Sequence, residues 1–223
     1  MAKRVTLTGV VLLLAALCVW AGDVAQFVNL GFSADSKYFM FGQYGVSEKT
    51  LAPYAETYVV DVAKNAFTAR GVRKVAYTRA AEPGTNGLGA LLTVLGDALP
   101  QTRQFGIDHM LPGRMLYILV DGVPPNDVLE FRDFQAGRTY SVKLLRSGST
   151  SFHIAATVTD RSGGVREITA GDPSIQRPGV KGYQVKQILL APDGASLVFV
   201  IQKDEQDTSG SNIRYMVETV RIR

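Results

Sequence analysis

The sequence predicts a mainly β fold of antiparallel meanders, with two blade-like hairpin units and one packed helix. Three observations lead there. Residues 28–41 and 186–199 share one pattern: an apolar run, a short polar turn and a second apolar run. From Leu116 onward the chain falls into short β-branched and aromatic runs divided by glycines, the composition and punctuation of strands. A single stretch, near 87–99, carries helical spacing. A full small propeller and a β-sandwich-like body are alternative arrangements of the same strands.

At the amino terminus Lys3 and Arg4 precede an almost wholly apolar run from Gly9 to Val19. Val19-Trp20-Ala21 then places modest or small residues one and three positions before a cut after Ala21, the order of a signal peptide over residues 1–21. The uncharged stretch from Val5 to Ala21 has 17 residues, short of the roughly 20 that a stable span requires. No stable transmembrane span is therefore expected after cleavage. Lipid attachment at Cys18 is a weaker rival, because Leu17 is too large for the small residue that precedes a lipidated cysteine.

Residues 22–223 are then expected to form a single mainly β domain in the periplasm or outside the cell. Those 202 residues contain no cysteine, so the domain relies on its core and not on disulfides. Cleavage lowers the formal charge from +4 to +2, which is no footprint for nucleic acid, since phosphate binding asks for clustered cations on one face. The basic group Arg70, Arg73, Lys74 and Arg79 reads as a solvated strand face, with an anionic partner as the alternative.

The two hairpin units align residue by residue. Leu30 answers Ile188, Phe32 answers Leu190, Asp35 answers Asp193 and Phe41 answers Phe199. Asp35 and Asp193 are expected to fold their carboxylates onto turn N–H groups, and Gly194 to accept a positive φ. In each copy a polar loop follows, Gln43 to Ala55 and Asp204 to Asn212, leading to strands Glu56–Val62 and Ile213–Ile222. A further strand is expected at Ala66–Ala69.

The helix rests on Leu88, Leu91, Leu92, Leu95 and Leu99, which share one face at helical spacing. Asn86 is expected to cap it and Pro100 to end it. Gly89 and Gly96 each weaken it by about 1 kcal/mol relative to alanine, which points to close packing on the sheet. Strands follow at Leu116–Val120, Val128–Phe134, Thr139–Leu145, Ser151–Asp160 and Val165–Thr169. The similar ends are expected to bring the first and last strands together.

The turn words Ser33-Ala34-Asp35-Ser36 and Ala191-Pro192-Asp193-Gly194 resemble the repeats of TolB-like β-propellers. Two copies fall short of the four blades a propeller usually needs. Over nearly its whole length the chain is also similar to a family of uncharacterised predicted secreted proteins from spirochaetes, through 39–45 (Phe39-Met40-Phe41-Gly42-Gln43-Tyr44-Gly45), 55–61 and 213–219. That resemblance implies an envelope or periplasmic location and brings no activity.

Chemistry-bearing constellations are sparse. Zinc asks for three or four convergent ligands, and the mature chain has only His109 and His153 and no cysteine. Asp204, Asp207 and Asn212 miss the spacing of a calcium loop. The glycine loop 84–89 lacks the residues of a phosphate cradle. Neither a metal nor another cofactor is expected. The residues singled out for binding are Tyr44, Lys49 and Tyr54 in the first loop and Lys203 and Asp204 in the second, because loops on rigid β scaffolds often carry recognition. The reading is an exported envelope binding or assembly protein without catalytic chemistry, its partner a protein or another envelope component. The alternative is a secreted hydrolase with a site assembled around His109 or His153.

Overall fold

A computed structural model describes residues 22–120, 122, 127–207 and 210–223. The signal peptide assigned to 1–21, Cys18 included, lies outside the described residues.

A strand that is apolar at every position must be covered on both faces. Two stretches have this character, Phe39-Met40-Phe41 and Leu197-Val198-Phe199-Val200-Ile201, and all eight side chains are fully buried. They explain the architecture, which is a stack of layers.

The first sheet has the order β4-β3-β2-β1-β5, from β1 (Gln26–Ser33), β2 (Tyr38–Val46), β3 (Pro53–Asp61), β4 (Ala66–Ala76) and the short β5 (Ile107–Asp108). The second has the order β10-β9-β8-β7, from β7 (Val128–Asp133), β8 (Arg138–Ser147), β9 (Ser151–Thr159) and β10 (Val165–Ala170). The third joins β6 (Arg114–Ile118) to β11 (Val180–Leu190), β12 (Ser196–Asp207) and β13 (Gly210–Arg221) in the order β13-β12-β11-β6. Neighbouring strands within each sheet are antiparallel.

The third sheet lies in the middle. Alternate side chains of a strand point to opposite faces. Leu197, Phe199 and Ile201 therefore pack with Tyr140, Val142, Phe152 and Ile154 of the second sheet. Val198 and Val200 pack with Phe39, Phe41, Tyr58 and Val60 of the first. The outer face of the first sheet is closed by two helices, α1 (Leu88–Asp97) and α2 (Leu99–Gln104), through Met40, Val59, Ala55, Leu91 and Ala98. Among the described residues no core cluster joins the first sheet to the second. The stack is therefore open, and the three sheets do not form the closed propeller offered as an alternative.

In β1 the residues Leu30 and Phe32 have the same parity, yet Leu30 faces the helices and Phe32 the third sheet. A register shift between Asn29 and Phe32 reverses the faces, centred on Gly31 at φ +97°. A Cβ there would lie 2.2 Å from the Asp108 carbonyl oxygen, so glycine is needed for both conformation and approach.

The look-alike hairpins, β1–β2 and β11–β12, pack against each other, and their turns meet where the Asp193 N–H donates to Ser36 Oγ at 3.2 Å. The Asp35 carboxylate accepts from Ser33 Oγ (2.7 Å) and the Lys37 N–H (3.2 Å). Asp193 accepts from the Ala195 N–H at 2.9 Å, and Gly194 has φ +65°. The segment before β1 also neighbours β13, since Val24 bridges Ile213 in parallel.

Several expectations need correction. The loops are shorter than the sequence suggested: β2 runs to Val46 and β3 starts at Pro53, leaving 47–52, while β12 and β13 pair as far as Asp207 and Gly210. Polar residues at these strand ends have loop composition, but cross-strand pairing holds them. β4 likewise extends to Ala76.

The helix turns a different face inward. Ala90, Leu91, Val94 and Ala98 are buried, whereas Leu88, Leu92 and Leu99 are 42%, 64% and 49% exposed. Small residues at 90, 94 and 98 form a stripe as regular as the leucines and let the helix settle on Ala55. Gly89 and Gly96 face open space. The close approach falls instead on Gly87 (φ +77°), where a Cβ would lie 2.4 Å from the Gly45 carbonyl oxygen. Gly87 holds the cap position, and Asn86 Oδ1 accepts from the Leu88 N–H at 3.1 Å. Pro100 does not end the helical region but sits in the first turn of α2, where its missing N–H is no loss.

Candidate functional site

Two clusters of charged side chains border cavities. The first lies at the seam between the first and third sheets. A strand edge exposes unpaired N–H groups, and here side chains from β2 and from the β3–β4 turn satisfy two of those of β13. Gln43 Oε1 accepts from the Tyr215 N–H at 2.8 Å, and Asn65 Oδ1 accepts from the Thr219 N–H at 2.7 Å. Gln43 Nε2 donates to Glu56 Oε2 at 2.7 Å; Tyr58 also donates to that oxygen, and Lys74 Nζ lies 2.8 Å from Glu56 Oε1. Burial pushes the Glu56 carboxyl up, but the bonds from Lys74, Tyr58 and Gln43 outweigh it and hold the group below its ordinary value. Burial and the Glu56 charge both raise the Tyr58 phenol.

Beside this network Arg214 pairs with Asp23 and lies 4.8 Å over the Tyr54 ring, while the Tyr54 hydroxyl donates to Asp23 Oδ1 at 3.1 Å. Burial raises the Tyr54 phenol well above its usual range. A groove of about 610 Å³ opens here, lined in part by Lys49, Tyr54, Lys74 and Arg214. Its charges are mostly spent on one another. Such a matched network fixes two sheets together and offers little to a ligand.

The second cluster is different. A cleft of about 780 Å³ lies between the second and third sheets, lined by Asp127, Lys143, Leu145, Arg146, Lys181 and Asp204 among others. That volume is in the range of ligand sites. Lys143, Arg146 and Lys181 are exposed and form no ion pair among the described residues. Arg146 Nη2 donates to the Tyr183 carbonyl at 2.9 Å, across the gap between the sheets. Asp204 accepts from Ser211 Oγ.

The residues singled out from sequence are therefore dispersed. Lys49 and Tyr54 share the seam groove, while Asp204 lines the cleft. Tyr44 packs against the Ala90–Leu91 cluster under the helix. Lys203 pairs with Glu205 at 2.5 Å. Asp35, Asp193 and Gly194 stand at the two touching turns. The sequence reading missed Lys143, Arg146 and Lys181, whose only signal was lysine or arginine near strand ends.

His109 lies in the turn after β5, with Nδ1 2.6 Å from the Leu30 carbonyl oxygen. His153 lies within β9 opposite Leu145, and its Nδ1 is buried with no hydrogen-bond partner among the described residues. Among the described residues neither ring forms a hydrogen bond or ion pair with a carboxylate, and no three metal-ligating side chains converge. No helix is long and apolar enough to cross a membrane among the described residues.

Fold and clusters together define a layered β protein with an open cleft. Residues 40–221 match the model of a family described as "Predicted secreted protein (DUF2259)", and the chain belongs to that family. The match points to an exported protein; it carries neither a spirochaete origin nor a propeller. No curated protein and no solved structure matches the chain.

Proposed function

We propose that this protein is an exported, non-catalytic binding protein of the cell envelope, and that its partner seats in the cleft between the second and third sheets. One observation carries the reading: Lys143, Arg146 and Lys181 line a cavity and have no ion-pair partner among the described residues, whereas at the seam Asp23 pairs with Arg214 and Glu56 with Lys74. Unpaired charges around a concave, partly apolar surface steer and orient a partner. The sequence had placed recognition in the loops at 43–56 and 204–212; strand pairing there shifts the proposal to the cleft.

The test is photo-crosslinking in the native envelope. A photoreactive residue at Leu145, which lines the cleft, should give a specific adduct that Lys143→Glu with Lys181→Glu abolishes. The same probe at Lys49 should give none. An adduct at 49 with none at 145 would reject the cleft in favour of the seam groove.

A further inference from the structure

The helix layer over the first sheet is built the unusual way round. It rests on Ala90, Leu91, Val94 and Ala98 and holds Leu88, Leu92 and Leu99 outward. Those three leucines fall at i, i+4 and i+11, so they line one stripe. The chain that leads from β4 back to α1 leaves a hollow of about 350 Å³ beside that stripe, walled by Pro53, Tyr77, Ala80, Ala81, Gly89 and Ala90. Leu51 joins its rim, where its carbonyl accepts from the Ala81 N–H at 2.7 Å. The Tyr77 hydroxyl lies 3.0 Å from Thr93 Oγ1 and ties the hollow to the helix. Leu51 and Tyr77 are 57% and 43% exposed. Single exposed leucines are ordinary, but apolar side chains gathered on one face mark a contact surface.

The charge around the patch narrows the occupant. Residues 66–106 comprise β4, the hollow's outer wall and both helices, and carry Arg70, Arg73, Lys74, Arg79 and Arg103 against Glu82 and Asp97, a net +3. Residues 22–223 together net only +2, so the remainder of the domain is slightly acidic. Arg79 borders the hollow, and its 3.9 Å pair with Glu82 is exposed on both sides, where water screens it. Arg103 follows Leu99 at i+4 and continues the leucine stripe; it is exposed and forms no ion pair among the described residues. Arg73 lies against Gln101 of α2. A second copy of the chain would bring the same positive surface against this one, and like charges oppose that pairing. An anionic bilayer takes both features at once, since acyl chains receive leucines while phosphates at the headgroup level receive cations. Tyrosine suits the boundary between them. We propose that the helix layer is a membrane-contact face, which seats on an anionic phospholipid surface with Leu88, Leu92 and Tyr77 at the acyl boundary and Arg79 and Arg103 on the phosphates. This face is separate from the cleft, because the helices cover the first sheet and the cleft lies between the second and third.

The probe is flotation of the exported protein with vesicles of phosphatidylglycerol and phosphatidylcholine in equal parts, against vesicles of phosphatidylcholine alone. The protein should float with the first and stay behind with the second. Leu88→Gln with Leu92→Gln alters only exposed side chains and should leave the urea midpoint in place, yet weaken partitioning about tenfold or more. Arg79→Glu with Arg103→Glu should weaken it as much. Lys143→Glu with Lys181→Glu, at the cleft, should leave it unchanged. Residues 22–223 hold no tryptophan, so Leu92→Trp supplies a local reporter, whose emission should be quenched by brominated acyl chains. Failure to float with anionic vesicles would overturn the proposal. Undiminished flotation of the leucine variant, or an equal loss in the cleft variant, would mean general attraction of cations and overturn it too. So would a lipid-free dimer that the leucine variant dissociates, since the patch would then be an interface between two copies. The cleft reading stands or falls separately, on the adduct at Leu145.

Discussion

Gln43 offers the sharpest test of how the sheets are joined. It is 2% exposed, in the middle of the seam, and its amide bonds in both directions. Replacement by leucine preserves most of the volume but removes two contacts. The Tyr215 N–H loses its 2.8 Å acceptor in a buried place, and an orphaned buried donor costs about 1–3 kcal/mol. Glu56 loses one donor but keeps Tyr58 and Lys74, so that side adds about 1 kcal/mol. The expected loss is about 2–4 kcal/mol. With a urea slope of about 2 kcal/mol/M, the denaturation midpoint should fall by about 1–2 M. The m value should stay constant, because the folded state keeps its layers. Gln43→Glu is the informative companion: it still accepts from Tyr215 but faces Glu56 with a second carboxylate, so its deficit should shrink as pH falls and one carboxyl takes a proton. A Gln43→Leu midpoint within 0.25 M of the wild type, or about 0.5 kcal/mol, would refute the idea that β13 depends on this amide.

Gly31→Ala should cost about 2 kcal/mol or more, since positive φ alone carries strain of about 1–3 kcal/mol and the new Cβ would meet the Asp108 carbonyl; thermal unfolding reads it. Leu91→Ala should cost about 2–4 kcal/mol, whereas Leu92→Lys should stay within about 0.5 kcal/mol, because Leu91 is buried and Leu92 exposed; similar losses at both would contradict the helix orientation. The bond from Arg114 holds the Asp133 carboxyl below its ordinary 3.8, against a smaller upward push from burial. This pair stabilises the fold above that value and loses its contribution as pH falls through the lowered one, so Asp133→Asn should unfold more readily at neutral pH and approach the wild type in acid. Glu218 has the opposite sign: burial raises it above 4.5, against bonds from Asn65 and Arg177. Its favourable protonated form is present below that value and lost as pH rises through the raised one. Glu218→Gln should therefore gain stability relative to the wild type between pH 4 and pH 8, measured by urea midpoints at both.

What was legible in the sequence was legible for a physical reason. Leu197 to Ile201 and Phe39 to Phe41 are apolar at every position because a packed layer covers each face, and Asp35 and Asp193 sit at reversals because a short carboxylate can hold turn amides. The helix face was misjudged because leucines outweigh alanines in any periodic reading, yet Ala90 and Ala98 permit the close approach. The loops were drawn too long because Gln43-Tyr44-Gly45 and Lys203-Asp204-Glu205 have the composition of turns while pairing across their hairpins. The cleft was invisible because it is made by where pairing stops. Nothing in Lys143 or Lys181 tells that β7 begins opposite the one or that β6 has ended before the other, since register is a property of two strands and not of one.

The likeness between the two hairpins follows from the same logic. β1–β2 and β11–β12 meet face to face, and each has a further layer behind it, helices for the first and the second sheet for the other. Both must therefore be apolar on two sides and turn sharply at the end where they touch. β8, in contrast, reads Arg-Thr-Tyr-Ser-Val-Lys, with alternate residues exposed, as a strand with one wet face should. Lys143 and Arg146 of that strand and Lys181 of β11 line one cleft between the second and third sheets. A concave, charged surface is thus left where the second and third layers part, and Lys143, Arg146 and Lys181 stand at that place.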